Sequence, residues 1–274
     1  MQHTEQNLDH MHHDAEVKGE AVLLEIQDLS ISFKQYTRGL RHRILQMTDQ
    51  LNLAIHKGEV VAVIGASGAG KSLLAGAILG ILPQNATMTG SINYKGEALN
   101  AEKTARLRGK DIVLIPQSIK SLNPLMKIGK QVSIVNNKNK EATVKVRKIF
   151  SGLHLPPEIE SKYPFQLSGG MARRVLVAAA MNTEAQLVIA DEPTAGLEEE
   201  TLDETMGYIR QLADQGRGVM LITHDIESAL NIADRIAVFY GGTVVEMANS
   251  SDFTGKDLCD TPGFMVGTKV EQEG

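Results

Sequence analysis

The stretch "EVVAVIGASGAGKSLLAGAILGIL", residues 59–82, decides the fold of this chain. A short β-branched apolar run leads into "GASGAGKS", residues 65–72, which fits the pattern G-x-x-x-x-G-K-[ST], and a run with helical spacing follows. In that context the loop N–H groups and the helix dipole surround a phosphate, Lys71 reaches the β- and γ-phosphates, and Ser72 places its hydroxyl on Mg²⁺. The stretch therefore predicts a nucleoside triphosphate site.

The predicted phosphate contacts form one continuous segment of the chain. An ordinary glycine turn before a helix is the alternative interpretation, and the buried strand ahead of the loop argues against it. The predicted contacts are Gly65, Ala66, Ser67, Gly68, Ala69, Gly70, Lys71, Ser72 and Leu73.

Four further apolar runs resemble the strand before this loop. They are "DIVLIPQ" (111–117), "LVIADE" (187–192), "GVMLITHD" (218–225) and "RIAVFY" (235–240). Their lack of alternation predicts parallel strands that are buried on both faces. By contrast, "VLLEIQDLSISF" (22–33), "LNLAIHKGE" (51–59) and "GSINYKGEAL" (90–99) alternate apolar and polar residues, as strands of an antiparallel sheet do.

These patterns predict an α/β fold class: a P-loop NTPase core of the RecA-like type, with an antiparallel β subdomain and an inserted helical subdomain. Buried-strand runs disappear after residue 117, and the helical subdomain is placed at about 118–180 within a domain of residues 21–250. Residues 1–20 are polar and His-rich, which predicts a disordered leader rather than a metal site. Residues 251–274 are a tail with no clear element.

Polar residues follow three of the buried runs. Asp191 and Glu192 end one of them, Gln117 ends another, and His224 ends a third. Ligands bind at the carboxyl ends of strands in open α/β sheets, so these side chains are expected around one phosphate site with Lys71. Asp191 would hold Mg²⁺, directly or through water, and Glu192 suits the general base that orients the attacking water.

Composition excludes several classes of protein. The 274 residues carry 28 basic and 33 acidic side chains, a net charge of −5, without a long basic run, so we expect no nucleic acid partner. The longest apolar stretch, residues 73–83, is far short of the roughly 20 residues of a membrane-spanning helix. The leader lacks the apolar region of a secretion signal, and the single Cys259 cannot form an internal disulfide. A cytoplasmic protein is expected.

A second anion-binding pattern lies about a hundred residues after the phosphate loop. In "LSGGMARR", residues 167–174, Ser168 can cap a helix, and Gly169 and Gly170 leave the backbone bare at the positive end of the helix dipole. One domain with one nucleotide does not need two such sites.

A resemblance resolves this duplication. The ordered set "GASGAGKS", "IPQ", "LSGGM", "LVIADEPTAGLE" and "LITHD" is similar to the ATP-binding subunit of ABC transporters over about residues 22–250. In that family the LSGGQ-like signature contacts the γ-phosphate of the ATP held by the opposing subunit. The resemblance therefore implies that Ser168, Gly169 and Gly170 complete the site of a second ATPase subunit, in a homodimer or a heterodimer.

The same resemblance implies roles for the strand-end residues. Gln117 is similar to the Q-loop glutamine, which senses Mg²⁺ and water and links to the membrane subunits; Glu192 is similar to the catalytic glutamate, and His224 to the switch histidine. The implied catalytic set also includes Lys71, and the implied Mg²⁺ ligands are Ser72, Gln117 and Asp191. Phe33 matches the aromatic position that stacks on adenine, with Tyr36 as the alternative residue and core packing as the other interpretation of Phe33.

The segment "SLNPLMKIGKQV", residues 121–132, resembles importers of dipeptides, oligopeptides and nickel, in which "LSGGM" is a frequent signature. The resemblance implies ATP and Mg²⁺ as cofactors, two membrane permeases and an extracellular solute-binding protein as partners, and a position at the cytoplasmic face of the membrane. Nickel, metal chelates and short peptides all stay open as cargo.

Three features depart from the family pattern. Glu198 stands where Asp is usual, Ala66 and Ala69 replace common Glu and Ser, and the tail lacks an "HPYT.AL"-like segment. A soluble ABC-type ATPase acting on nucleic acid or the ribosome is the rival interpretation, and it would need paired cassettes, a long coiled coil or basic surfaces. A plain P-loop kinase would leave "LSGGM" and His224 unexplained.

Overall fold

The computed structural model describes residues 21–36, 42–66, 68–133, 140–197 and 199–253. The predicted leader, Ser67, Glu198 and residues 254–274 of the predicted tail lie outside these ranges. In chain order the strands of the described residues are β1 (Val22–Tyr36), β2 (His42–His56), β3 (Val60–Ile64), β4 (Ala86–Tyr94), β5 (Glu97–Ala98), β6 (Ile112–Ile115), β7 (Leu187–Asp191), β8 (Gly218–Thr223), β9 (Arg235–Tyr240) and β10 (Thr243–Asn249).

Helices alternate with the later strands. The α-helices are α1 (Lys71–Ile78), α2 (Ala101–Leu107), α3 (Ile128–Ser133), α4 (Lys140–Gly152), α5 (Gly169–Met181), α6 (Glu199–Asp214) and α7 (Ile226–Ile232). Short 3₁₀ turns span Ile119–Ser121, Pro157–Ser161, Pro164–Gln166 and Ser250–Asp252.

The three alternating stretches form one antiparallel sheet, as predicted. Its strand order is β2-β1-β4-β5, and β1 pairs antiparallel with both β2 and β4. The inward side chains of β1, among them Leu24, Ile26 and Ile31, are fully or almost fully buried. They belong to a core that also contains residues of α1 and of one face of the second sheet.

The second sheet has the order β10-β9-β3-β8-β7-β6, with parallel pairing throughout except between β10 and β9. Val60, Ala62 and Ile64 of β3 pack into the core beneath the later helices, whereas Val61 and Val63 pack toward α1 and the antiparallel sheet. A strand with side chains in two cores must be apolar at every position, which explains the runs without alternation. The predicted α/β fold class is confirmed.

The region between β6 and β7 carries no named strand in its described residues, and holds α3, α4, α5 and three of the 3₁₀ turns. Phe150 of α4 and Val132 of α3 are buried in the same core as Val175 of α5. The division of the chain into subdomains at residues 118 and 180 stays a prediction. Among the described residues, every helix is too short or too polar to cross a membrane.

Candidate functional site

The loop between β3 and α1 forms the floor of the candidate site. Gly68 and Gly70 adopt φ angles of 80° and 103°, in the left-handed region that side-chain-bearing residues avoid. Gly65 is required for another reason, because a Cβ there would lie 2.3 Å from the carbonyl oxygen of Phe239 in β9. The glycines thus let the backbone turn tightly against the sheet and enter α1 at Lys71.

Lys71 is held inside this loop. Its Nζ donates to the carbonyl oxygens of Gly65 at 2.7 Å and Ala66 at 2.9 Å, and the residue is only 5% exposed. Burial lowers the pKa of the Lys71 ammonium, while the carboxylates of Glu192 and Asp191 act in the opposite direction. A cation in this position can exchange neutral carbonyl acceptors for phosphate oxygens, which form stronger charge-assisted hydrogen bonds.

Ser72 and Asp191 meet at the mouth of the loop. The Ser72 hydroxyl donates to Asp191 Oδ1 at 3.2 Å, although the two residues are 119 positions apart in the chain. Burial raises the pKa of Asp191, and the hydrogen bond from Ser72 partly offsets this. One hydroxyl and one carboxylate fit Mg²⁺, which takes few protein ligands when substrate phosphates supply the rest. The described residues contain no cluster of three or more His, Cys, Asp or Glu side chains that could hold a metal alone.

Glu192 and His224 form a pair at the ends of β7 and β8. Glu192 has a φ angle of 45°, and its N–H donates to Ile222 O at 2.8 Å, which turns the chain sharply at the strand end. His224 Nδ1 lies 2.8 Å from Glu192 Oε2. A carboxylate that acts as a base at this position would accept this hydrogen bond from a protonated Nδ1. The Glu192 side chain is 11% exposed and that of His224 is 62% exposed, so the histidine faces the solvent side of the carboxylate.

These groups surround one cavity of about 370 Å³. Its lining includes Lys71, Ser72, Gln117, Glu192 and Phe33. Asp191 and His224 are attached to lining residues by the hydrogen bonds described above. The cavity wall is completed by Met47, Gly68, Gly70 and Leu73.

Most of the site residues predicted from the sequence therefore meet, and the cavity contains one residue that the sequence did not suggest. Phe33 is half-buried and lines the cavity, as the adenine prediction requires, and Ser67 lies outside the described residues. The additional residue is Met47 of β2, which lies ahead of the alternating stretch at residues 51–59 and belongs to no motif. Its carbonyl oxygen lies 3.1 Å from the position of a Cβ on Gly70, so the loop packs directly against this strand. The roles assigned to all these side chains stay predictions.

The second anion-binding pattern lies at the start of α5. The Ser168 side chain accepts from the N–H of Met171 at 3.2 Å, as predicted for a helix cap. Ser168 and Gly169 are exposed, and a Cβ on Gly169 would meet no atom within 4 Å. Within the described part of the chain, Ser168, Gly169 and Gly170 are not among the residues that line the cavity holding Lys71. The exposed start of α5 therefore lies outside the lining of the cavity that the chain's own phosphate loop forms.

In the loop that follows Gln117, one side chain from α3 makes three hydrogen bonds to the main chain. Gln131 Nε2 donates to the carbonyls of Asn123 at 2.9 Å and Met126 at 2.6 Å, and its Oε1 accepts from the N–H of Asn123 at 2.9 Å. The Asn123 side chain adds a separate contact, because its Oδ1 accepts from the N–H of Leu125 at 2.9 Å. Leu125 itself is 88% exposed.

Comparison with known proteins finds relatives of this chain both by sequence and by fold. Residues 48–195 match the model of the ABC transporter family. The oligopeptide transport ATP-binding protein OppD of Bacillus subtilis is 34% identical over 238 residues, covering 82% of this chain and 65% of that protein. The probable D,D-dipeptide transport ATP-binding protein DdpD of Escherichia coli is 35% identical over 244 residues, covering 84% of this chain and 73% of that protein. The chain thus spans about two thirds of the length of such relatives.

Solved structures share the fold. The ATP-binding cassette MJ0796, in a dimeric post-hydrolysis state bound to ADP and Pi, superposes with a TM-score of 0.73 at 24% identity, covering 84% of this chain and all of the cassette. The protein cbiO1 from Clostridium perfringens, part of the ABC transporter complex cbiONQ, superposes with a TM-score of 0.69 at 26% identity, covering 85% of this chain and 90% of cbiO1.

Proposed function

This chain belongs to the ABC transporter family, and on that premise we propose that it is the ATP-hydrolysing subunit of an importer for short peptides. The observation that carries the proposal is the convergence of Lys71, Ser72, Gln117 and Glu192 on one cavity, while the exposed helix start at Ser168 lies outside it. Such a chain would bind one ATP at its own phosphate loop. Its helix start at Ser168 would contact a second ATP, which the neighbouring subunit binds.

In the proposed reaction each side chain has one task. Lys71 binds the β- and γ-phosphates, Ser72 and Asp191 hold Mg²⁺ with Gln117 nearby, and Phe33 stacks on the adenine. Mg²⁺, when bound, neutralises charge that develops on the phosphate oxygens. The buried Glu192 carboxylate accepts a proton from the attacking water, and His224 fixes the orientation of that carboxylate through the bond to Oε2.

The second subunit would supply its own signature to this site. Ser168 caps a helix of 13 residues, and the positive end of the helix dipole at its start would attract a phosphate. Two ATP molecules would then lie between paired ATPases. Because ATP adds contacts that the empty subunits cannot make, its binding shifts the pair toward closure, and hydrolysis reopens it.

Exposed apolar side chains support contact with membrane subunits. Ile119, Leu125 and Phe165 lie between Gln117 and the signature, and they are 39%, 88% and 76% exposed. Exposed large apolar side chains near a functional loop suit a protein interface. Two permeases on this side would place the chain at the cytoplasmic face of the membrane, beneath an extracellular solute-binding protein.

Peptide cargo is the finer part of the proposal. The relatives OppD and DdpD are named for oligopeptide and D,D-dipeptide transport, which favours peptides over nickel or metal chelates. The net charge of −5 disfavours the rival function on nucleic acid.

The test is reconstitution of the chain with its permeases, companion ATPase and solute-binding protein in proteoliposomes. We expect ATP-dependent uptake from a mixture of alanine peptides of two to six residues, and no ATP-dependent uptake of ⁶³Ni²⁺. Uptake of nickel alone would overturn the cargo proposal. Recovery of the native chain with nucleic acid and without permeases would overturn the transport proposal.

A further inference from the structure

Arg173 lies five residues after the cap of α5, and the proposed ATPase reaction assigns no role to it. The residue is 5% exposed. Its guanidinium donates to three main-chain carbonyls: Nη1 to Pro116 O at 3.2 Å and to Gln117 O at 2.5 Å, and Nη2 to Ala195 O at 3.1 Å. One side chain therefore contacts two loops that are almost 80 residues apart in the chain.

Both contacted loops carry residues of the nucleotide site. The first contains Gln117, which lines the cavity. The second belongs to the turn that follows Glu192, since the N–H of Ala195 donates to Glu192 O at 3.2 Å. The helix that carries Arg173 begins at Ser168. The guanidinium thus lies where the Q-loop, the glutamate turn and the signature helix meet.

The chemistry of this contact favours joint movement. Arg173 has no carboxylate partner among the ion pairs of the described residues, and burial lowers its pKa. A buried cation that loses its acceptors is strongly unfavourable, so the carbonyl dipoles must stay in place while the guanidinium is there. The planar fork of an arginine also fixes the relative directions of its donors.

We propose that Arg173 is a positioning residue that couples the Q-loop, the glutamate turn and the signature helix, so that displacement of Gln117 is transmitted to Glu192 and Ser168. This coupling rests on the proposed function, because it is the route by which a permease contact near Gln117 would reach the hydrolytic carboxylate. Arg173 itself does not line the cavity, and it contacts Gln117 only through the main-chain carbonyl.

Arg217 provides a matched control at the other end of α5. Its guanidinium also donates to three carbonyls, those of Ala180 at 3.1 Å, Met181 at 3.3 Å and Thr183 at 3.1 Å, and burial lowers its pKa as well. Replacing either arginine by Met removes the same kind of contact with similar side-chain length. Only Arg173 reaches the loops of the nucleotide site.

The experiment compares wild type, Arg173→Met, Arg173→Lys and Arg217→Met in the reconstituted transporter. We expect the ATP Kd of every variant to stay within about twofold of wild type, since Lys71 and the phosphate loop are unchanged. ATP hydrolysis is measured with the permeases and the alanine peptide mixture present, and is expressed per bound ATP. For Arg173→Met, kcat should fall at least tenfold while the KM for ATP is unchanged. Arg217→Met should stay within twofold, and Arg173→Lys, which keeps charge without the fork, should lie between.

A second measurement does not depend on transport. Amide hydrogen exchange of the chain with and without ATP should show protection of residues 117–121 and 194–197 together in wild type and in Arg217→Met. In Arg173→Met the two segments should respond independently. Equal losses in the two Met variants, or preserved joint protection in Arg173→Met, would overturn the coupling. Absence of permease stimulation in wild type would contradict the proposed function alone, and the exchange result would still decide the role of Arg173.

Discussion

Replacement of Glu192 by Gln separates the role of this side chain as a general base from its structural role. The amide keeps the shape of the carboxylate, the position at φ 45°, and an oxygen acceptor for His224 Nδ1, which lies 2.8 Å away. What it loses is the ability to take a proton from water. Because general base catalysis contributes about 10²–10⁴-fold in rate, kcat should fall by that factor, or about 2.7–5.4 kcal/mol in activation free energy.

The loss in kcat expected for Glu192→Gln can be compared with that for a variant of the neighbouring His224. His224 is 62% exposed and contributes one hydrogen bond to the carboxylate, which is worth about 0.5–1.5 kcal/mol. The His224→Ala variant should therefore lose roughly 2- to 13-fold in kcat through misorientation of Glu192, with any contact to the γ-phosphate adding to this loss. In the Glu192→Gln background, the orienting part of that loss should disappear, because the base is already absent.

The assay is hydrolysis of saturating Mg-ATP by the assembled transporter, with ATP Kd measured separately for each variant. The Kd should change by no more than a few-fold, since the contacts of Lys71 with the phosphate loop are unaffected. A Glu192→Gln variant with kcat within threefold of wild type would refute the assignment of Glu192 as the base.

Three further substitutions test other parts of the site. Ser168→Ala removes the acceptor for Met171 N–H and should lower the free energy of unfolding, measured in urea, by about 1 kcal/mol. ATP binding to the same chain should be unchanged. A tenfold loss of ATP affinity in the isolated chain would contradict the placement of Ser168 outside the cavity that Lys71 lines. Gly65→Ala places a Cβ 2.3 Å from Phe239 O, and should lower the free energy of unfolding by about 1–3 kcal/mol and the ATP affinity at least tenfold. The control is Gly152→Ala, whose Cβ would meet no atom within 4 Å. In thermal unfolding this control should be as stable as wild type or slightly more stable, and its ATP affinity should be unchanged. Gln131→Met removes three main-chain hydrogen bonds and should lower the free energy of unfolding by about 1–3 kcal/mol without changing ATP Kd; an unchanged urea midpoint would show that the loop does not depend on these hydrogen bonds.

The parallel strands and the phosphate loop could be predicted because their signals are local. Val60 to Ile64 must be apolar at every position when both faces of the strand are buried, and Gly68 and Gly70 are needed where φ is positive. The strand-end positions of Gln117, Glu192 and His224 follow from topology, since parallel strands end at one edge of the sheet. These parts of the site require no knowledge of long-range packing.

Other contacts have no counterpart in the sequence. The acceptors of Arg173 are carbonyl oxygens, which every residue carries, so nothing in the letters of residues 116, 117 and 195 indicates the contact. The left-handed backbone of Glu192 is set by its bond to Ile222 O at the end of β8, which is a tertiary interaction. Met47 reaches the cavity only because β2 packs behind the phosphate loop.

The proposed pairing of two ATPase subunits requires a particular position of Ser168 when ATP is bound. Its direct test is a structure of the Glu192→Gln chain with its companion ATPase and Mg-ATP. We predict that Ser168 Oγ lies at hydrogen-bond distance, about 2.5–3.0 Å, from a γ-phosphate oxygen of an ATP whose β-phosphate contacts the lysine of the companion's phosphate loop. A structure in which Ser168 faces solvent, or contacts the nucleotide held by Lys71 of its own chain, would contradict the account.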